Sequence, residues 1–198
     1  MTQVTALIDA NNFYASCEQS LDPALIGRPV VVLSNNDGCI VARSAEARAL
    51  GIAMGTPYFK AKRHLEQNNV VIRSSNYALY ADMSQRLMSL LESQVEDLEI
   101  YSIDEAFARL SRPSDGNLRP WAQQLRTLAR RNLGLPIAIG LGASKGQAKL
   151  ANRLAKVVPA HAGLFDLDLC RDPDRWLETI SIEDVWGIGR KLAVWCRM

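Results

Sequence analysis

The spacing of hydrophobic residues divides the chain into strands and helices. Runs of adjacent apolar residues bounded by turn-forming residues predict strands, and apolar residues three or four positions apart predict helices. In the first half we predict strands at 4–9, 28–33 and 39–42 and helices at 12–21 and 45–50. In the second half we predict helices at about 75–95, 119–132 and 145–157, strands around 104–105, and a strand at 136–142.

Two of these helices have a clear apolar face. In the helix at 12–21, three apolar residues share one side: Phe13, Cys17 and Leu21. The long helix, which Ser75 or Asn76 can cap, has apolar residues at intervals of four: Leu79, Met83, Leu87 and Leu91. Such stripes are typical of helices that pack against a core on one side only.

The order of these elements predicts an α/β (α+β) fold. Its core runs strand, helix, then helix, two strands, helix, strand and helix, which is the order of a split β-α-β arrangement with helices on one sheet face. Residues 22–76 would be an insertion with its own hairpin. Residues 184–192 would begin another small helical unit.

Composition narrows the class of protein. The 198 residues are 48% hydrophobic and 22% charged, which is typical of a globular chain, and the net charge of +2 gives little support for nucleic-acid binding. The four cysteines and two histidines lack the spacing of a zinc finger and fit reduced cysteines in the cytoplasm. No apolar run approaches the roughly 18 residues of a membrane helix. We therefore predict a cytoplasmic protein with no membrane partner.

Acidic residues follow two of the predicted strands. Asp104 and Glu105 lie side by side between apolar runs, and Asp9 ends the first strand. Two adjacent carboxylates repel, so a cation would offset their repulsion, and Mg²⁺ is typically bound by one or two carboxylates plus substrate phosphates. Asp9 and one of the pair could bridge two Mg²⁺ ions in phosphoryl transfer. The alternatives are an ordinary strand-end acid or a helix N-cap at Asp9, and a solvated hairpin tip at 104–105.

Basic residues recur every three or four positions in the helix at 145–157, for which Ser144 is the predicted cap. They are Lys145, Lys149, Arg153 and Lys156. A solvated basic face is one interpretation, and contact of at least one member with phosphate is the other. The preceding Gly140 and Gly142 match neither common nucleotide-binding glycine motif, and we interpret them as allowing close packing of a strand on a helix.

Two further segments have both a structural and a functional interpretation. Tyr14 follows Phe13 directly after the Asp9 strand and is either a core aromatic of the first helix or a wall of a nucleotide site. The sequence Gly187-Ile-Gly189-Arg190-Lys191 is either a plain turn between helices or the hairpin of a helix-hairpin-helix unit. In such a hairpin, backbone amides approach a DNA phosphate without reading sequence.

Several segments in this order resemble the Y-family translesion DNA polymerases, and the UmuC branch most closely. They are 9–17 (DANNFYASC), 34–39 (SNNDGC), 46–48 (EAR), 75–83 (SNYALYADM), 101–107 (YSIDEAF) and 187–189 (GIG). The resemblance covers essentially the whole chain. It implies a right-hand polymerase: a ferredoxin-like palm at 1–24 and 77–168, a small fingers insertion at 25–76, and a partial helical thumb at 169–198.

The resemblance also implies roles for individual residues. The metal-binding acids would be Asp9, Asp104 and Glu105, with the Ala10 carbonyl as a further ligand of two Mg²⁺ ions, or Mn²⁺ in their place. Phe13 and Tyr14 would line the nucleotide site, Tyr14 as the steric gate that excludes a 2′-hydroxyl. Arg48 and Lys156 would bind the triphosphate, and the turn at 187–191 would contact DNA.

Two departures from the family pattern lie near these residues. Ala45 stands where many family members have a tyrosine that contacts the triphosphate, although UmuC-like chains also have alanine there. Lys156 is followed by Val157-Val158-Pro159 rather than directly by proline, so the helix end would differ.

The implied activity is template-directed DNA synthesis across damaged DNA, of the SOS-response type, from dNTP and primer-template DNA. A UmuD-type accessory protein is the implied partner. Family members continue into a further domain and a clamp-binding segment beyond the length of this chain, so an inactive nucleotide- or DNA-binding fragment is the alternative. A nucleotide cyclase with a similar palm is disfavoured, because the Gly-Gly-Asp/Glu-Glu-Phe hairpin is absent.

Overall fold

The computed structural model describes residues 3–197, with only the backbone of Arg190. The ends of the predicted palm and thumb, residues 1–2 and 198, lie outside the described residues. The strands are β1 Gln3–Ala10, β2 Val30–Leu33, β3 Ile40–Arg43, β4 Val71–Ser74, β5 Asp97–Ile100, β6 Glu105–Ser111, β7 Ile137–Gly142 and β8 Leu164–Asp166. The α-helices are α1 Phe13–Leu21, α2 Ala45–Ala49, α3 Tyr58–Gln67, α4 Tyr77–Glu92, α5 Arg119–Leu133, α6 Lys145–Val157, α7 Pro173–Leu177 and α8 Arg190–Cys196.

The described chain divides into two compact units. The first comprises residues 3–9, 88–127 and 137–197, and the second comprises 10–87 and 128–136. None of the helices between residues 3 and 197 is long and apolar enough to cross a bilayer. All four cysteines are described, and none forms a disulfide, as predicted.

The first unit is built on a five-stranded sheet with the order β5-β6-β1-β7-β8. Strand β6 is antiparallel to both β1 and β5, whereas β8 is parallel to β7. The first four strands in this order form the split β-α-β arrangement, so the predicted mixed fold is confirmed. Strand β8 was not predicted, because its three residues give too short an apolar run.

Strand β7 and helix α6 pack with almost no space between their backbones. A Cβ atom on Gly140 would lie 2.1 Å from the Asn152 backbone nitrogen, and one on Gly142 would lie 2.7 Å from the Gln147 Cβ. This confirms the packing interpretation of the two glycines. The predicted cap is also confirmed, because Ser144 Oγ accepts a hydrogen bond from the Gln147 amide at 3.3 Å.

The second unit contains a three-stranded sheet with the order β3-β2-β4. Strands β2 and β3 form the predicted antiparallel hairpin. Strand β4 lies parallel to β2, and neither β4 nor helix α3 was predicted. The core against this sheet combines residues of β2, β3, α2, α3 and the connecting segments: Val31, Leu33, Ile40, Ala47, Ile52, Ala61, Leu65 and Val70.

The predicted face of α1 is partly wrong. Phe13 and Cys17 are buried, but the Leu21 side chain is 63% exposed. Leu21 is the last residue of α1, so it lies at the helix end, beyond the part of the face that the core covers. The stripe of the long helix α4 is better predicted, because Met83, Leu87 and Leu91 are buried, with Tyr80 as a fourth buried member in place of the half-buried Leu79.

Candidate active site

The pairing of β1 with β6 brings two of the predicted acids together in the first unit. Asp9 lies directly opposite Glu105 in the antiparallel register. Side chains at directly opposite positions of an antiparallel pair lie on the same face of the sheet, so both carboxylates point to one side. Asp104 immediately precedes β6 in the turn from β5, which places a third carboxylate beside this pair.

The turn before β6 is organised by Ser102. Its hydroxyl donates to Asp104 Oδ1 at 2.7 Å, and its oxygen accepts the backbone amides of Asp104 at 3.3 Å and Glu105 at 3.2 Å. The amides of Tyr101 and Ser102 both donate to the Glu105 carbonyl oxygen. Ser102 therefore fixes the two adjacent acids, a role that sequence analysis missed although local serine-to-backbone bonds are a known turn signal.

Two lysines of α6 bind the paired acids. Lys156 Nζ lies 2.6 Å from Asp9 Oδ2, and Lys149 Nζ lies 2.8 and 2.9 Å from the two Glu105 carboxylate oxygens. The lysines are seven residues apart, which places them two turns apart on one helix face. Sequence analysis assigned Lys156 to the site but treated Lys149 only as a member of the basic stripe.

The other two basic residues of α6 also form ion pairs within the first unit. Lys145 Nζ lies 2.6 Å from Glu99 Oε1, and Arg153 lies 2.9 Å from Asp184 Oδ2. All four basic residues of the stripe are thus bonded to acids in this structure. The positive charge of this helix face is therefore neutralised by neighbouring acids, and the face is not simply a solvated one.

Burial and the neighbouring charges perturb Asp9. Its side chain is 15% exposed, and loss of solvation raises the pKa of Asp9 from its usual 3.8 to about 6. Lys156 opposes this rise, whereas the negative charges of Asp104 and Glu105 add to it. A cation placed among these carboxylates would relieve the desolvation and the repulsion together.

The donor set fits a hard divalent cation in its chemistry. Carboxylate oxygens are what Mg²⁺ and Mn²⁺ prefer, and three carboxylates lie at one end of a strand pair. Among residues 3–197, however, no three acidic, histidine or cysteine side chains converge as a formed metal centre. Like charges repel, and each acid is instead bonded to its own partner: Lys156, Lys149 or Ser102.

The predicted nucleotide-site aromatics belong to the second unit. The Tyr14 ring stacks on the Tyr80 ring, with centroids 4.2 Å apart and planes at 11°, and Phe13 lies 5.9 Å away. Tyr80 is fully buried and its hydroxyl donates to Glu18 at 2.8 Å. The Tyr14 ring is therefore fixed by its neighbours. Phe13 is a buried core residue, which agrees with its place on the predicted apolar face of α1.

Two further predicted ligands also belong to the second unit. Ala10 is buried at the end of β1. Arg48 lies in the last turn of α2, whose first turn is capped by Ser44, and its side chain is exposed. Among the residues that the structure describes, Arg48 forms no ion pair with an acid. An exposed guanidinium of this kind can bind phosphate.

The predicted DNA-binding turn leads into α8. Gly187 has a φ of 88°, a left-handed conformation that favours glycine, and Gly189 is the N-cap of α8. A Cβ at either glycine would meet no atom within 4 Å, so the backbone is accessible. Lys191 is exposed. The Arg190 side chain, also predicted to contact DNA, lies outside the described residues.

The fold is that of Y-family DNA polymerases. The structure matches the insertion ternary complex of Dbh DNA polymerase with a TM-score of 0.82 and 25% identity, covering 98% of this chain and 57% of that one. Residues 8–153 match the impB/mucB/samB family, and the chain belongs to this family. The predicted Y-family, UmuC-like assignment is therefore confirmed.

Among curated relatives, the chain is similar to UmuC of Salmonella typhimurium, with 48% identity over 190 residues. It is 43% identical over 187 residues to MucB of Escherichia coli. These matches cover 95% and 94% of this chain but only 45% and 44% of the relatives. The chain thus spans less than half the length of the curated relatives that it matches.

Proposed function

We propose that the chain is the catalytic core of a translesion DNA polymerase of the SOS type. It would join a dNTP to the 3′-hydroxyl of a primer opposite damaged template DNA. The observation that best supports this proposal is the register of β1 and β6, which pairs Asp9 with Glu105 and places Asp104 beside them. Membership of the impB/mucB/samB family supports it independently.

Asp9, Asp104, Glu105 and the Ala10 carbonyl would bind two Mg²⁺ ions, or Mn²⁺ in their place. When bound, these ions would neutralise charge on the phosphate oxygens and favour the nucleophilic form of the primer hydroxyl. Lys156 and Arg48 would bind the triphosphate through charge-assisted hydrogen bonds. In-line attack of the primer hydroxyl on the α-phosphate then expels pyrophosphate.

Tyr14 and Phe13 would line the sugar-binding part of the site. The Tyr14 ring, stacked on Tyr80, is rigid enough to exclude a 2′-hydroxyl by contact. Discrimination against ribonucleotides follows from a fixed steric boundary, because a mobile ring would yield to the additional oxygen.

We propose the same organisation as the sequence predicted: a palm at 1–24 and 77–168, fingers at 25–76, and the start of a thumb at 169–198. The backbone amides around Gly187 and Gly189, with Arg190 and Lys191, would contact a phosphate of the primer-template DNA. A UmuD-type protein would be the accessory partner, and synthesis would take place in the cytoplasm.

A second candidate function is that of a fragment that binds nucleotide or DNA and requires the remainder of a polymerase for turnover. The observation that favours it is coverage, because the chain spans 45% of the UmuC relative. Contacts to the DNA backbone supply most sequence-independent affinity, so a short chain would bind primer-template DNA weakly.

Single-nucleotide primer extension with the 198-residue protein and Mg²⁺, at high enzyme and DNA concentrations, tests both. We expect incorporation by the native chain and its loss in Asp104→Ala. Asp97→Ala is the matched control, because Asp97 is an exposed acid of β5 whose ion pair is with Arg109; it should retain activity. Nucleotide incorporation by Asp104→Ala would contradict the proposed metal site. An inactive native chain would favour the second candidate function, a fragment that requires the remainder of a polymerase.

A further inference from the structure

We propose that Lys149 is a positioning residue that holds the Glu105 carboxylate in place for metal binding, and that an aromatic cluster holds Lys149. We define this cluster as the rings of Tyr101, Phe107 and Trp186. The inference rests on the proposed function and adds residues to which no role in the site has been assigned. Every residue concerned belongs to the first unit.

Lys149 bonds Glu105 in a way that fixes the direction of the carboxylate. Its ammonium lies 2.8 and 2.9 Å from the two oxygens, so the carboxylate cannot rotate without losing one bond. Both side chains are largely buried, at 18% and 15% exposure, which strengthens the pair relative to a surface ion pair. Lys156 binds the opposite acid, with its Nζ 2.6 Å from Asp9 Oδ2.

The aromatic cluster encloses the ammonium. Lys149 Nζ lies 4.5 Å from the Tyr101 ring centroid, 5.8 Å from that of Trp186 and 5.9 Å from that of Phe107. These distances are within the range of cation–π attraction. Three ring faces therefore restrict where the ammonium can lie.

The rings of the cluster also brace one another. Tyr101 is in edge contact with Phe107 at 5.5 Å and with Trp186 at 5.9 Å. The Trp186 indole N–H donates to the Tyr101 hydroxyl oxygen at 3.2 Å. A hydrogen bond between two rings makes the cluster a defined support rather than a loose apolar contact.

Fixing Glu105 matters because Asp9 lies directly opposite it. Two ionised carboxylates at this position repel, and a carboxylate without a partner would turn toward solvent. Lys149 opposes that rotation. Trp186 directly precedes Gly187, so the same cluster connects the acid to the turn that we propose contacts DNA.

The test is Mn²⁺ binding by the 198-residue protein, measured by electron paramagnetic resonance of free Mn²⁺, with thermal melting of each variant as a fold control. Partners of metal-binding side chains typically contribute about 10- to 100-fold in affinity, and we expect Lys149→Met to weaken Mn²⁺ binding by that factor. Lys149→Arg should restore most of the affinity, because a guanidinium can also bond both carboxylate oxygens.

The experiment includes a variant of the aromatic cluster and a control variant of a nearby ion pair. Trp186→Ala should weaken Mn²⁺ binding by less than Lys149→Met, since two rings remain. Arg109→Met is the control: Arg109 lies on the same strand as Glu105 and forms an exposed ion pair with Asp97 at 2.8 Å. Its Mn²⁺ affinity should equal that of the native chain.

Unchanged or tighter Mn²⁺ binding by Lys149→Met would overturn the proposal. It would show that Lys149 only neutralises the charge of Glu105 and does not position the carboxylate. Equal losses in Lys149→Met and Lys149→Arg, each with a lowered melting temperature, would also overturn it in favour of a structural role. Failure of the native chain itself to bind Mn²⁺ would instead overturn the proposed metal site, and the Lys149 proposal with it.

Discussion

Asp9 shows how a proposed metal-binding residue can lower the stability of its own fold. Burial raises the pKa of Asp9 from 3.8 to about 6, so the folded chain holds this proton more tightly than the unfolded chain does. The stability that protonated Asp9 contributes is therefore present at low pH and is lost as the pH rises from about 4 to about 6. Above that range, burial of the ionised Asp9 carboxylate lowers the stability of the folded chain.

We expect Asp9→Asn to raise the free energy of unfolding at pH 7.5 by up to about 3 kcal/mol, because asparagine stays neutral. The gain should vanish near pH 4, where Asp9 is protonated. Urea denaturation between pH 4 and 7.5, in buffer with EDTA, measures this difference. The exposed Asp97 should show no comparable effect on replacement by Asn, and a gain for Asp9→Asn that is independent of pH would contradict the argument.

Other residues at this scale were only partly predictable. Asp104, Glu105 and Asp9 were identified as candidate metal ligands from the sequence, because acids that follow apolar strands can be recognised without coordinates. The partners of these acids were not visible. Lys149 lies 44 positions from Glu105 and Ser102 donates through a local turn geometry, so both needed the folded chain.

At the scale of elements, the junction of β7 and α6 determines how the lysines reach the acids. Asn152 is buried in α6, and its side-chain amide donates to the carbonyl oxygens of Leu7 at 3.3 Å and Ala138 at 3.0 Å. These bonds join the helix to β1 and β7 at once. Helix α6 is therefore held close to β1, the strand that carries Asp9.

Two glycine substitutions test this packing. Gly140→Ala should destabilise the chain by more than about 3 kcal/mol, because its Cβ would lie 2.1 Å from the Asn152 nitrogen and the helix would have to move. Gly146→Ala, inside α6, would add a Cβ whose nearest neighbour is Ser144 Oγ at 3.9 Å, an ordinary contact, and should stabilise the chain by about 0.5–1 kcal/mol. Thermal and urea unfolding measure both changes. Similar stabilities for the two variants would mean that the close approach is not rigid.

Helices and strands with a strong apolar periodicity, or with turn-forming residues at their ends, were predicted. Short elements and elements with few apolar residues were not. The hairpin of β2 and β3 was predicted because turn-forming residues separate two apolar runs. Helix α3 was missed because only Ala61 and Leu65 of its ten residues are buried. Strand β4 was missed because its four residues are half-buried or exposed.

For the molecule as a whole, we expect its charge to limit the affinity of the proposed contact with DNA. The net charge is +2, and the basic residues of α6 are paired with acids of their own unit. The basic residues of α6 would therefore have to leave their acids before they could displace counterions from a duplex.

We expect this chain to bind primer-template DNA with a Kd of about 10⁻⁴–10⁻⁶ M at physiological salt, the range of non-specific binding. The logarithm of the association constant should fall only gently with the logarithm of salt concentration. Fluorescence anisotropy of labelled primer-template DNA between about 50 and 200 mM salt gives both quantities. Nanomolar affinity, or a slope that corresponds to many phosphates, would show that the paired basic residues exchange their acids for DNA.

The sequence by itself determined the family, the three candidate metal-binding acids, and the order of the main strands and helices along the chain. These features depend on residue type and on short-range spacing. Only the tertiary structure decided the strand order, the pairing of Asp9 with Glu105, the lysine that each acid binds, and the aromatic cluster around Lys149. These features arise between residues far apart in the chain, from Leu7 against Asn152 to Tyr101 against Trp186. Long-range contacts of this kind follow from packing, which local patterns do not encode.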